Sequence, residues 1–354
     1  MEGNLKMKKI LTTLCAVAML AGCTAGGSKK SSTNTSTKEE TAATVMIGTG
    51  SVTSVSNKVK EGSDTAAQFD TTFASVVLEG NVIKYVYFDV AQDKVTFDSA
   101  GHVTSDNATS MSKKDLGDKY GMKDKSSIKK EWFEQVEALE KWAIGKTVDE
   151  VLNMPTTQKD EKHTVTADKD LMTGCTISVT GFQQALEKAA KNAVEVKDVA
   201  SVGSAILTEV SGKDATAEKS GEAKANSTYG VVALDKDGKV VFTQTDIAQN
   251  AVKFTTAGAL DGEAMAVPTK AEKKDEYGMK KASAIGKEWF EQNQAFDEWT
   301  VGKTSNEISG MKVTTNEAGK TVPADKDLMT GCTMGIDSLQ KVTVTAIAAA
   351  SKLN

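Results

Sequence analysis

The chain contains one peptide sequence twice. Nine residues, Asp-Lys-Asp-Leu-Met-Thr-Gly-Cys-Thr, run from Asp168 to Thr176 and again, unchanged, from Asp325 to Thr333. The offset of 157 residues (325 minus 168) also relates 89–176 to its copy without a gap. Solenoid repeats are far shorter, roughly 20–50 residues, whereas this unit has the size of a domain. We therefore predict two tandem homologous domains, 45–197 and 198–354, each long enough to bury a core.

Other segments recur at the same offset, although the sequence around them differs between the copies. Because these segments are the same in both copies while their neighbours differ, they are candidates for function or for tight packing. They are Tyr120–Met122 with Tyr277–Met279, Lys130–Gln135 with Lys287–Gln292, Trp142 with Trp299, and Gly145–Thr147 with Gly302–Thr304.

Each repeat begins with residues typical of antiparallel strands. In the first, branched and aromatic residues at 74–78 and 82–88 flank the turn Glu79-Gly80-Asn81. In the second, 231–234 and 240–242 flank a turn that ends at Gly238. Such runs on either side of a glycine-containing turn predict a hairpin. The segments 95–97 and 252–254 are expected to add a further strand.

The middle of each repeat has a helical pattern. Apolar residues recur every three or four positions from Ile128 through Trp132 to Ala143, which predicts one buried helix face. Gly145 and Gly302 suit the C-terminal caps of these helices. Capping boxes at 147–150 and 304–307 predict a second short helix. Further helices should start at 180, with a capping box, and at 337, with a close variant of one. The predicted class is therefore α+β, a small antiparallel sheet packed with helices in each domain.

The N-terminus has the features of an export signal. Three lysines precede an apolar run from Ile10 to Leu20, which is shorter than the ~20 residues of a membrane span. The ending Leu20-Ala21-Gly22-Cys23 resembles the lipobox of bacterial lipoproteins. That resemblance implies removal of 1–22 and lipidation of Cys23; an ordinary secretory signal is the alternative. Residues 24–44 lack aromatic and large aliphatic side chains, which predicts a disordered tether to the extracellular face of the cell membrane.

Composition excludes several classes of function. A net charge of −5 argues against nucleic acid as a main partner. The two histidines, His102 and His163, are not repeat-equivalent, so no metal site is predicted. No Ser-His-Asp or Cys-His set recurs in both repeats. The Gly-Lys-Thr triplets lack the earlier glycine of a phosphate-binding loop, since Glu140 and Asp297 stand at that position.

Several interpretations of the repeated nonapeptide are open. As a purely structural loop, it would use Asp170 to cap backbone N–H groups and Gly174 to supply a special backbone angle. As a redox motif, it would use the thiols of Cys175 and Cys332, although no resolving cysteine lies nearby in sequence. A loop that leads into a helix N-terminus also favours a bound anion.

The second half of the nonapeptide resembles the site modified by bacterial flavin transferases. That site has an acid, then Ser/Thr-Gly-Ala, then a Ser or Thr whose hydroxyl is joined to the phosphate of FMN. The resemblance implies that Thr176 and Thr333 are the acceptors. Cysteine stands in this chain where the family usually has alanine. The implied recognition positions are Asp170, Thr173, Gly174 and Cys175 in the first copy, and Asp327, Thr330, Gly331 and Cys332 in the second.

The whole chain resembles the PplA-type, pheromone-precursor lipoproteins of Gram-positive bacteria. This resemblance implies two covalent FMN groups, one per domain, attached by a flavin transferase. It implies electron transfer from a membrane quinol-linked dehydrogenase to extracellular acceptors such as iron, rather than an enzyme with a defined substrate. The alternative is a non-redox binding or interaction lipoprotein whose cleaved signal peptide acts as a pheromone.

The four tryptophans have two possible roles. Trp132, Trp142, Trp289 and Trp299 occupy equivalent positions in the two repeats and could stack on flavin rings or fill the core. Trp132 lies on the apolar helix face, which favours a core position. For Trp142, and for Tyr120 and Met122, both roles are open.

Overall fold

The structure is a computed structural model that describes residues 44–58 and 64–353. The predicted signal peptide, the lipidation site Cys23 and the tether up to residue 43 lie outside the described residues. All described residues belong to one compact unit. Within them, every helix is too short or too polar to cross a membrane.

The first repeat consists of three long strands followed by short helices and strands. Its two 3₁₀ helices are Gly117–Tyr120 and Leu171–Thr173. The other elements are β1 (Val45–Lys58), β2 (Thr65–Glu79), β3 (Val82–Phe97), β4 (Ala108–Ser110), α1 (Lys113–Leu116), α2 (Trp132–Ala143), α3 (Val148–Leu152), β5 (Thr156–Gln158), β6 (Thr164–Thr166), α4 (Thr180–Lys191) and β7 (Val194–Val196).

The second repeat has nearly the same order of elements. Its 3₁₀ helix, Lys274–Tyr277, matches the first one of the other repeat. The other elements are β8 (Ser201–Lys213), β9 (Gly221–Leu234), β10 (Val240–Phe254), α5 (Lys270–Lys273), α6 (Trp289–Thr300), α7 (Ser305–Ser309), β11 (Val313–Thr315), β12 (Thr321–Pro323), α8 (Lys326–Met329), α9 (Asp337–Ala348) and β13 (Ser351–Lys352).

Two antiparallel sheets organise the fold. The first has the order β3-β2-β1-β7, and the second has the order β10-β9-β8-β13. The short strand β4 belongs to the first repeat but pairs with β8, so it joins the second sheet. Two small hairpins, β5-β6 and β11-β12, stand apart from the sheets.

The sheets pack against each other and carry their helices on the opposite faces. Helices α2 and α4 cover the first sheet, and α6 and α9 cover the second. One apolar cluster lies between the first sheet and its helices, and two others lie between the second sheet and its own. Three further clusters combine residues of both repeats. Because both faces of these strands are covered there, the C-terminal halves of β2 and β9 form continuous buried runs, 73–78 and 227–234.

The two repeats meet as a pseudo-symmetric pair. Strand β3 contacts β8 and β1 contacts β10, which are equivalent pairs of strands. The rings of Phe97 and Phe254, equivalent residues, stack with centroids 4.0 Å apart and planes 4° from parallel. Gly101 and Gly258 each approach the backbone of the other repeat's turn. These reciprocal contacts are those of a two-fold interface within one chain.

The α+β prediction is confirmed, with corrections to the strands. Both predicted hairpins form, as β2-β3 and β9-β10. The segments 95–97 and 252–254 are not separate strands; they are the ends of β3 and β10. The polar residues that precede these segments interrupt the apolar pattern of a strand. In the fold their side chains make buried hydrogen bonds, and the strand continues through them. The proposed boundary at residue 197 lies in the link between β7 and β8.

The helix predictions also need correction at their starts. Helix α2 begins at Trp132, so Ile128 lies before it, where Lys129 adopts a φ of 55° that breaks the helical path. The boxes at Thr147 and Thr304 form as predicted. The box at Thr180 does not, because Gln183 donates instead to the carbonyl oxygens of Val151 and Leu152. The variant of a box predicted at Asp337 is also absent, since α9 has no side-chain cap.

A buried carboxylate lies where the repeats join. Asp93 on β3 is 2% exposed and accepts a hydrogen bond from Ser110 Oγ of β4. Its other oxygen has no partner among the described residues. Burial raises the pKa of Asp93 to about 6. The equivalent residue of the second repeat is Asn250, also buried, which accepts from the Val267 N–H at 3.0 Å.

We expect Asp93→Asn to stabilise the protein above pH 6 but not in acid. In acid both states hold a neutral carboxyl; as the pH rises, the unfolded state gains by ionising before the folded state can. The shift corresponds to about 3 kcal/mol at about 1.4 kcal/mol per pKa unit, and an unpaired amide N–H offsets part of it. Denaturant unfolding should show a gain of about 1–2 kcal/mol near pH 8 and none near pH 4. An equal gain in stability at both pH values would contradict this explanation. The reverse change in the other repeat, Asn250→Asp, should destabilise the protein near pH 8.

Candidate functional site

The nonapeptide forms a short helical turn that one aspartate caps. Asp168 Oδ1 accepts from the N–H groups of Asp170 at 3.1 Å and Leu171 at 2.9 Å. Asp325 makes the same bonds in the second copy, at 3.1 Å each. The capping acid is therefore Asp168 and not Asp170, which corrects the expectation for a structural loop. Asp168 lies three residues before Leu171 and its carboxylate reaches both N–H groups, whereas Asp170 is exposed.

Gly174 is required for packing and not for an unusual backbone angle. Its φ is −115°, which other residues adopt readily. A Cβ atom at this position would lie 2.7 Å from Ala138 Cβ of α2, and at Gly331 it would lie 2.6 Å from Ala295 Cβ. The turn therefore lies directly against the central helix of its repeat, which fixes the residues that follow.

The two cysteines of the motif are core residues. Cys175 and Cys332 are fully buried, within the clusters under their helices. Burial raises the pKa of Cys175 to about 11 and that of Cys332 to about 12. Reactive cysteines have a depressed thiol pKa and solvent access, and these have neither. The thiol-redox interpretation finds no support in this geometry.

The last residue of the motif is held by a buried glutamine. Thr176 is half-buried, and both its N–H and its Oγ donate to Gln135 Oε1 of α2, at 2.9 and 3.1 Å. In the second repeat Gln292 Oε1 accepts from the Thr333 N–H at 2.9 Å and from its Oγ at 3.4 Å. The threonine hydroxyl thus has a defined position beside the helix.

Gln135 is itself fixed from the other side. Its Nε2 donates to Ser126 Oγ and to the Lys130 carbonyl, each at 3.1 Å. Gln292 repeats these bonds with Ser283 and Lys287, each at 3.0 Å. With the amide nitrogen committed to these acceptors, the amide oxygen must face the threonine.

A glutamate at the start of α2 holds the repeated Tyr-Gly-Met segment. The Glu131 carboxylate accepts from the N–H groups of Met122 at 2.8 Å and Lys123 at 3.0 Å. Burial alone would raise the pKa of Glu131, but these backbone donors outweigh it and lower the pKa. Glu288 makes the same bonds at the same distances in the second repeat. An ionised carboxylate therefore fixes Tyr120–Met122 beside Trp132.

These groups surround a cavity in the first repeat. Its volume is about 760 Å³, within the ~300–1,000 Å³ typical of small-molecule sites. Thr176 lines it together with Gln135, so the motif opens into this space. Its apolar wall includes Tyr120, Met122, Trp132 and Phe182.

A lysine completes the aromatic wall. Lys113 Nζ lies 5.1 Å from the ring centroid of Tyr120 and 5.5 Å from that of Trp132. Those two rings are 6.3 Å apart and tilted by 58°. The second repeat reproduces the arrangement with Lys270, Tyr277 and Trp289, whose rings are 6.3 Å apart and tilted by 54°. A planar aromatic ligand would stack on one of these rings, with the other ring and a cation beside it.

One polar atom in the first cavity has no protein partner. Gln68 lines the cavity and is only 3% exposed. Its Nε2 donates to Asp70, whereas no described residue donates to its Oε1. A buried acceptor without a donor costs about 1–3 kcal/mol. A ligand would reach this oxygen only if the Gln68 side chain turned toward the cavity.

The second repeat has a smaller cavity at the equivalent place. Its volume is about 530 Å³, and its wall includes Tyr277, Met279 and Trp289. Met334 lines it, while Thr333, the preceding residue, does not. By the pairing of the strands, Lys224 on β9 stands where β2 of the first repeat has Gln68, since their partners on β10 and β3 are equivalent. The two sites are therefore alike in their walls and different in their polar groups.

The tryptophans divide as the helix face predicts. Trp132 is 3% exposed, belongs to the core and also lines the cavity, so both interpretations apply to it. Trp142 packs at the edge of the core, with Lys146 Nζ 4.7 Å from its ring centroid, and does not line the cavity. Tyr120 and Met122 are wall residues.

The motif residues fall into two groups. Asp170 and Thr173 are exposed, as are Asp327 and Thr330, whereas Gly174 and the cysteines face the helix.

The sequence motif did not reveal the residues that hold the threonine and build the cavity. Their signal was present in the repeated Lys-Glu-Trp-Phe-Glu-Gln segment, because three of its six residues perform these tasks. They are Glu131, Trp132 and Gln135, with Glu288, Trp289 and Gln292.

Comparisons of the chain with protein-family models, with curated proteins and with solved structures find no match. Within the described residues there is no group of three or more His, Cys, Asp or Glu side chains that could hold a metal ion.

Proposed function

We propose that this protein is a two-site flavoprotein that carries electrons at the outer face of the cell membrane. FMN would be joined through its phosphate to Thr176 and Thr333, and its ring system would lie in the adjoining cavity of each repeat. The observation that carries the proposal is that the motif threonine of the first repeat lines a cavity walled by Tyr120, Met122 and Trp132. The redox chemistry would come from the flavin.

The position of Thr176 suits an acceptor. Attachment forms a bond between its Oγ and phosphorus, while the hydroxyl proton and the leaving group of an activated flavin donor depart. The hydroxyl is half-buried and held by Gln135 at 3.1 Å, so its rotamer is restricted before a transferase binds. Exposed Asp170 and Thr173, on the outer side of the same turn, are available to the transferase.

The cavity also suits a flavin ring. Trp132 and Tyr120 offer two π surfaces, and the polar side chain of Gln68 lines the same space. These residues would orient the ring and exclude water from one face. Covalent attachment has a physical advantage outside a cell, where a cofactor that dissociates is lost by dilution.

Partners and location follow from the N-terminal resemblance and are part of the proposal. A lipid on Cys23 and the polar tether would keep the body near the membrane. We infer a membrane quinol-linked dehydrogenase as electron donor and extracellular acceptors such as iron. A flavin transferase must act first.

The test is to make the protein beside its flavin transferase and follow its visible flavin absorbance. We expect the flavin to bleach on reduction and to be reoxidised by a ferric chelate. Thr176→Val and Thr333→Val should each retain about half of the absorbance that ferric iron restores, and the double variant should retain none. Each substitution keeps the side-chain shape and removes only the hydroxyl.

A loaded wild-type protein that ferric iron cannot reoxidise would contradict the electron-carrier role. A double variant with full flavin absorbance would instead contradict the two attachment sites. The Thr173→Val variant is the matched control, since Thr173 is an exposed motif threonine whose Oγ donates to the Asp170 carbonyl. It should lower the extent of loading at most and leave the attachment site unchanged.

A further inference from the structure

One difference between the floors of the two cavities is the exchange of a carboxylate for an amide. In the first, Gln92 Nε2 donates to Asp70 Oδ1 across the β2-β3 pair at 2.7 Å. In the second, Gln249 Nε2 donates to Asn226 Oδ1 across the β9-β10 pair at 2.8 Å. The shape and the hydrogen bond are kept, so the main difference is the charge.

The half-buried charges of the two cavity linings also have different sums. In the first cavity they are Asp70 and Lys113, which sum to zero. In the second they are Lys224 and Lys270. Burial lowers the pKa of Lys270 to about 8, and the positive charge of Lys224 adds to that lowering. Asp337 also lines the second cavity, but it is paired with Lys341 at 2.7 Å.

The remaining charged residues of both linings are exposed. They count for less, because water and salt screen exposed charges, whereas a charge in a half-buried site acts at an effective dielectric of about 20. They are Lys125, Lys159, Asp160, Lys162 and His163 in the first cavity, and Glu209 and Lys320 in the second.

Charge in the cavity acts on the energy of reduction. Two-electron reduction of a flavin near neutral pH takes up one proton, so the reduced ring is more negative than the oxidised ring. Asp70 opposes that added charge. Lys113 in the first cavity and its equivalent Lys270 in the second both favour it, and Lys224 favours it in the second cavity alone.

Resting on the proposed function, we propose that the flavin on Thr333 has the more positive midpoint potential and accepts electrons from the flavin on Thr176. The transfer moves two electrons and one proton, so the first flavin is oxidised as the second is reduced. Asp70 and Lys224 are the residues that set this order. The first repeat is then the side that faces the donor, and the second is the side that faces the acceptor.

The experiment uses protein loaded by its transferase, with loading verified by mass. Thr333→Val leaves the flavin on Thr176, and Thr176→Val leaves the other, so each midpoint potential is measured alone. Asp70→Asn in the first background should shift the potential in the positive direction, and Asn226→Asp in the second should shift it in the negative direction. Asp160→Asn, a change of an exposed carboxylate in the first lining, is the matched control and should shift the potential less than Asp70→Asn.

The outcomes separate this inference from the function on which it rests. Absence of flavin from the wild-type protein would overturn both. Loaded protein in which the flavin on Thr176 has the higher potential would overturn the inference alone. So would a shift for Asp70→Asn that is no larger than the shift for Asp160→Asn.

Discussion

Replacing Phe254 by alanine should lower the free energy of unfolding by about 3–5 kcal/mol, the usual cost of removing a large buried ring. The ring is fully buried and stacks on Phe97 at 4.0 Å. The backbone of Gly221 lies so close to the ring that a Cβ there would be 2.3 Å from it. The residues around the ring are therefore tightly packed, and they have little freedom to fill the cavity that the substitution leaves. Because the cluster contains both repeats, they should still unfold in one transition. Denaturant unfolding followed by Trp fluorescence measures both quantities.

Two further variants make that result interpretable. Met265→Ala removes a side chain that is 64% exposed and should change stability by less than about 0.5 kcal/mol. Phe97→Ala combined with Phe254→Ala should cost less than the sum of the single changes, since both remove the same stacked pair. Two separate transitions in the Phe254→Ala protein, only one of them shifted, would contradict the shared core.

Gly174→Ala should destabilise the protein by about 1–3 kcal/mol and reduce flavin loading on Thr176. The new methyl group would lie 2.7 Å from Ala138 Cβ, so the turn must move away from α2. Thr176 would then lose its bonds to Gln135, which now measure 2.9 and 3.1 Å. Denaturant unfolding gives the stability, and the rate of flavin incorporation gives the effect on the acceptor.

A second substitution distinguishes this steric explanation from a direct role in transferase recognition. Ala138→Gly removes the methyl group that the new side chain meets, at a cost of about 1 kcal/mol for glycine in a helix. Combined with Gly174→Ala, it should restore the loading rate at Thr176. If loading remains lost in the double variant while stability recovers, the transferase reads Gly174 itself and packing is not the cause.

The turn-flanking halves of β2-β3 and β9-β10 and the central helix α2 could be predicted from the sequence because their apolar patterns are strong, whereas β1 and β8 were not predicted. The turn at Gly80 and the boxes at Thr147 and Thr304 were predictable from local chemistry alone. The continuation of β3 through Asp89 and Asp93 was not, since these buried acids depend on partners far away in the sequence. Asp93, for example, accepts from Ser110 on a strand that joins the other repeat's sheet.

The pairing of the repeats also lay beyond sequence reasoning. The apolar residues of β1 and β8 are compatible with two independent cores as well as with a shared one. Which face of each sheet meets the other repeat depends on tertiary contacts such as the bond from Ser51 Oγ to the Tyr229 hydroxyl at 3.0 Å. No local pattern encodes such a contact.

At the site, the sequence indicated the turn but not its support. The nonapeptide singled out Thr176, yet nothing in those nine residues shows that Gln135 receives its hydrogen bonds or that Tyr120 and Trp132 face the same space. The cavity explains why two other segments, Tyr120–Met122 and Lys130–Gln135, are identical in the two repeats. Glu131 binds the backbone of the first segment, and Gln135 binds the proposed acceptor Thr176.

The most direct test of the central claim is the intact mass of the mature protein made beside its flavin transferase. The account predicts a gain of two FMN groups in phosphoester linkage, one of them lost in Thr176→Val and the other in Thr333→Val. Fragmentation of the loaded protein should place one group on each of these threonines. An unmodified mass from cells in which the transferase is active, or flavin on any other residue, would contradict it.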